Sequence, residues 1–79
     1  MRYTANMGRQ LLAIIQRDNG GYVSLCPELD IASQGKTIAA ARDNLREAVE
    51  LFFECAPLEE VQLRLHDDVY VTQIEISGA

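Results

Sequence analysis

The residues of this sequence most able to do chemistry are its acids. Two-metal phosphodiester cleavage needs several carboxylates converging around cations about 4 Å apart. The apolar run at residues 11–15, where the floor of such a site would lie, holds no acid. Asp18 falls in a turn, and Glu47, Glu50 and Glu54 recur at a spacing that puts them on the outer face of a helix. Glu28, Asp30, Asp67 and Asp68 stand in turn-forming stretches, where short acidic side chains bond nearby backbone. The pattern predicts solvated charge and no nuclease centre. Glu28 and Asp30 flank a predicted edge strand and are candidates to meet Arg or Lys of a partner.

Nucleophilic chemistry fares no better. Either cysteine would need a neighbouring base, and His66 is the single histidine. Cys26 and Cys55 have no close-spaced companion, so neither a zinc site nor a redox pair is expected. Both read as inert apolar thiols in a reducing, cytoplasmic compartment. Gly20-Gly21 does not lead a strand into a helix, so it is no phosphate cradle. No catalytic residue, metal or cofactor is expected. No apolar run nears the roughly 18 residues of a membrane span, and the first residues lack the apolar core of a signal peptide.

The elements that would position these residues are better marked. Residues 1–8 carry no period and read as a frayed leader. Residues 11–15 are apolar on both parities, which suits a central strand covered on both faces. Asp18-Asn19-Gly20-Gly21 signals a hairpin, because Asn-Gly supplies the positive φ of a tight turn. Residues 22–26 alternate, Pro27 ends that strand, and residues 31–34 form a short third one. Thr37 is set to cap a helix, although Ala40 leaves the capping box incomplete. Ile38, Ala41, Leu45, Ala48, Val49, Phe52 and Ala56 make one apolar stripe, with Leu51 further round the helix and free to touch another chain. Residues 57–65 alternate like a strand, but Pro57 and the acids after it favour a short second helix. Residues 69–77 alternate as a last strand.

The order is β-β-β-α-(α)-β. A helical crossover before the last strand would bring it parallel to the first. The expectation is an α+β fold: a four-stranded mixed sheet, order 3-2-1-4, with one long helix packed on one face. The chain has 79 residues, 48% of them hydrophobic, and reads as one domain. A chain this short buries only about 60–65% of its unfolded surface, and one helix leaves a sheet face bare. A homodimer or larger assembly is therefore expected. Twelve acids against seven basic residues give a net charge of −5. That is poorly suited to binding nucleic acid and better suited to a basic protein.

Three stretches carry a resemblance. Gly21-Tyr22-Val23-Ser24-Leu25-Cys26-Pro27-Glu28-Leu29, then Ser33-Gln34-Gly35-Lys36-Thr37, then Ala41-Arg42-Asp43-Asn44-Leu45-Arg46-Glu47-Ala48-Val49-Glu50 together resemble the HicB-like antitoxins. The resemblance covers about half of the chain and implies a single HicB-like domain over residues 1–79. Its implied fold is a partly degraded ribonuclease H-like one without catalysis. The implied partner is a small basic HicA-type toxin, an mRNA-cleaving ribonuclease whose active site is masked. Ala39 and Ala40 depart from the family, which often has acids there. The chain ends after its last predicted strand, without the ribbon-helix-helix or helix-turn-helix that many such antitoxins use on DNA, so DNA binding is not expected. Candidate partner-binding residues are Tyr22, Glu28, Asp30 and Leu51. The alternative is an orphan homo-oligomeric module with no toxin partner.

Overall fold

The computed structural model describes residues 10–66 and 68–78. The expected leader, residues 1–8, and the turn acid Asp67 lie outside the described residues. The elements run β1 (Ile14–Asp18), β2 (Gly21–Cys26), β3 (Ile31–Gly35), α1 (Ile38–Cys55) and α2 (Leu58–Arg64). The strands form one antiparallel meander, order β1-β2-β3.

The β1-β2 hairpin turns on Asn19 and Gly20, at φ 46° and 77°. Both angles are positive, which closes a two-residue turn and pairs Asp18 with Gly21. Every later pair in β1 follows from that closure, so Ile15 faces Ser24 and Ile14 faces Leu25. On β2 the buried Ser24 and Cys26 alternate with the exposed Leu25. One sheet face is thus covered and the other open.

α1 covers the first face. Thr37 caps it, its Oγ1 accepting the Ala40 N–H at 3.0 Å. Close approach is set by small residues. Ala41 is fully buried over Ser24, whose hydroxyl donates to the Ala41 carbonyl at 2.9 Å. A Cβ on Gly35 would lie 2.5 Å from the Ala41 nitrogen, so β3 can pass under the first turn of α1 only as glycine. Asn44 Nδ2 donates to the Gln34 carbonyl at 2.8 Å and ties the next turn to β3. Beyond that, Leu45 joins Cys26 and Leu29 in the core, with Ile31, Val49, Phe52 and Phe53 packed around them.

Leu29 is the plug of this core, with no exposed surface. The turn that carries it is held from three directions. Asp30, at φ 58°, returns its N–H to the Cys26 carbonyl at 2.8 Å. Arg64, in the last turn of α2, donates Nε and Nη2 to the Leu29 carbonyl at 3.2 and 2.8 Å while its guanidinium lies over the Phe52 ring. The His66 N–H donates to the Glu28 carbonyl at 2.7 Å. Residues 57–65, which alternation leaves open to either form, become a helix because Pro57 opens it and Arg64 docks its end.

The expected four-stranded mixed sheet is overturned. Residues 69–76 form no strand and join no ladder, so the meander ends at three strands among the described residues, with two helices after it. Alternation encodes a segment able to pair but says nothing of its partner. The neighbour order 3-2-1 is as expected, but without a fourth strand β1 is an edge strand among the described residues and β2 the central one. The first strand also begins three residues late. Leu11 packs against the core, and Leu12 has its N–H engaged by Glu28 before the ladder starts. Ile38, expected on the buried stripe, opens α1 in solvent.

Candidate functional site

The four candidate partner residues are not brought together. Tyr22 is half-buried at the hairpin end of β2, with the Arg17 guanidinium 5.1 Å from its ring centre. Glu28 and Asp30 lie at the opposite end of that strand. Asp30 is exposed, but its backbone belongs to the tight turn after Cys26. Glu28 is not a surface acid. It is 8% exposed, both its carboxylate oxygens accept the Leu12 N–H, and Oε1 takes the Cys26 thiol at 3.5 Å. Its backbone partner Leu12 is sixteen residues away, while the Cys26 thiol reaches it from two residues before.

Burial beside Glu28 pushes the Cys26 thiol above its ordinary pKa, desolvation being the larger cause and the neighbouring carboxylate adding to it. A thiol held neutral in this way is a poor nucleophile. Cys55 is exposed on the last turn of α1. Among the described residues no group of three His, Cys, Asp or Glu side chains could hold a metal ion. No helix there is long and apolar enough to cross a membrane.

Leu51 is placed differently. It projects 58% exposed from α1 and walls two adjoining shallow grooves. The first runs between α1 and β3, with Ser33 and Ala48 at its base and Glu47, Glu50 and Glu54 along its rim. The second continues past Phe52 and Cys55 to Pro57 at the start of α2. Glu50 pairs with Arg46 at 3.4 Å, an exposed contact worth at most about 0.5 kcal/mol. Glu47 and Glu54 carry the remaining charge of the rim. The arrangement is an apolar knob in an acidic setting, able to receive an apolar side chain flanked by Lys or Arg.

Glu47 and Glu54, expected as solvated charge, are exposed on α1. Yet Asn44, Glu47, Ala48 and Leu51 recur at three and four residues, a second stripe beside the apolar one. Arg64 was missed altogether, because nothing local marks a side chain that bonds backbone 35 positions away.

Among curated proteins, a UPF0150 protein of Synechocystis sp. is 39% identical over 64 residues, covering 78% of this chain and 88% of its own length. The chain belongs to the UPF0150 family. A UPF0150 protein of Helicobacter pylori is 32% identical over 68 residues, covering 85% of this chain and 94% of its own. No family model and no solved structure matches. The likeness of this UPF0150 chain to these relatives extends over most of its length rather than one short motif.

Proposed function

We propose that this UPF0150 protein is a non-catalytic, HicB-like antitoxin module of the cytoplasm that binds a small basic HicA-type ribonuclease and masks it. The observation that carries the reading is the Leu51 groove with Glu47 and Glu54 on its rim. The groove matches a basic partner, and the chain's net charge of −5 steers such a partner toward it. The residues that resemble the HicB-like pattern have structural work in this fold: Glu28 and Leu29 fasten the core, Gly35 admits the helix and Thr37 caps it. That leaves the outward side of α1 for recognition. Tyr22 and Asp30, exposed in part and away from the groove, would stand at the margin of the contact. The module acts by occlusion, so it needs no cofactor, no metal and no DNA contact of its own.

The test is RNA cleavage by a HicA-type toxin encoded beside this chain's reading frame. Stoichiometric addition of the protein should abolish cleavage. Undiminished cleavage by that toxin, or a reading frame with no such neighbour, would favour the orphan module instead. The exposed apolar side chains of the open sheet face, Ile14 and Leu25, are what that second reading rests on.

A further inference from the structure

Residues 69–76 read Val-Tyr-Val-Thr-Gln-Ile-Glu-Ile, a strand-forming composition rich in β-branched and aromatic residues that alternates over residues 73–76. They come after α2, outside any helix or strand, and bury almost nothing. Tyr70 is 86% exposed, Ile74 79%, and Val71 and Ile76 are also open. Leaving such side chains in water is unfavourable. β1 poses the reciprocal problem. It pairs with β2 on one side, and its other edge has no strand among the described residues. Beside that edge lie Leu12 and Ile14, both more than a third exposed. An unpaired edge flanked by apolar side chains is a template for another strand.

We propose that two copies of this chain exchange these segments, residues 69–76 of each lying along the β1 edge of the other. A second copy is the fitting occupant because both halves of the joint belong to one sequence. Two-fold exchange pairs both strands and both edges in one closed assembly, whereas a foreign partner supplies only one complement. Within the protomer, residues 69–76 enter no ladder, and the sheet holds β1, β2 and β3 alone among the described residues. The pairing is between chains, so each protomer keeps its three-stranded meander. The inference is independent of the antitoxin reading, since the Leu51 groove lies beside β3, at the opposite edge of the sheet from β1.

The experiment is sedimentation equilibrium of the full chain over the micromolar range, beside two variants, Val71→Pro and Thr72→Pro. Adjacent N–H groups of a strand point to opposite edges, so one of the two prolines must remove a donor from the joint. Neither residue is in a helix or strand of the protomer, so both variants should keep the helical circular-dichroism signal of the wild type, whatever strand signal the joint loses. The wild type should weigh twice 8.8 kDa, and at least one variant should shift to the monomer mass at the same concentration. A monomeric wild type would overturn the proposal. So would a dimer that survives both prolines, which would place the contact on the open sheet face instead.

Discussion

Glu28 and Leu12 are joined across sixteen residues, the Leu12 N–H reaching both carboxylate oxygens of Glu28 at 3.2 and 2.9 Å. The bond fixes where the chain enters the sheet. It also holds the turn that carries Leu29, so one acid ties the first described segment to the centre of the core. Glu28→Ala should cost about 1.5–3 kcal/mol, the range for a hydrogen bond to a charged group. Glu28→Gln, which keeps one acceptor, should cost less. Urea melts in which the alanine variant matches wild type would show that the contact adds nothing to stability.

Leu45 and Leu51 sit six residues apart on α1 with opposite exposures, 3% and 58%. Leu45→Ala should therefore lose about 2–5 kcal/mol and Leu51→Ala no more than about 0.5 kcal/mol. Equal losses in denaturant melts would mean that α1 is rotated about its axis, with a different face on the sheet.

Gly35→Ala should destabilise by about 1–3 kcal/mol, the scale of overpacking, because the new methyl would meet Ala40 and the Ala41 nitrogen rather than a flexible side chain. Gly20 has open space around it, so alanine there would suffer only the strain of its positive φ. A Gly35→Ala variant as stable as wild type would argue against the close pass of β3 beneath α1.

The two cysteines should separate cleanly by reactivity. Cys55 should react at once with a thiol reagent in native protein, and Cys26 only after unfolding. Because burial raises the Cys26 pKa, the folded state keeps its proton at a pH where the unfolded state has lost it. Its contribution is whole below the ordinary thiol range and falls as the pH rises through it. Replacing Cys26 with Ala should flatten that part of the alkaline decline. An identical slope in the two proteins would refute the assignment.

Local signals were legible wherever backbone chemistry is local. Asn19-Gly20 marked the hairpin, Thr37 the helix start, and the stripe through Ala41, Leu45 and Phe52 the packed face. What failed depended on distant partners. Residues 11–15 looked like a central strand because they are apolar on both parities. In the fold Leu11 packs on the core, Leu12 answers Glu28, and only Ile14 and Ile15 enter the ladder. Residues 69–77 carry the alternation of a strand, but periodicity cannot say whose edge a strand will join. Arg64 carries no local signal, yet it closes the turn at Leu29. Of the site, Leu51 was visible as an apolar residue off the stripe. Its acidic rim required the groove between α1 and β3.

The central claim is that the Leu51 groove receives a basic protein, and its most direct test is affinity under charge reversal. On the proposed reading, titration calorimetry with a HicA-type toxin encoded beside this chain's reading frame should give tight binding to the wild type that weakens with added salt. Glu47→Lys with Glu54→Lys should weaken it by at least tenfold while the circular dichroism stays unchanged. Wild-type affinity in that folded double variant would contradict the account.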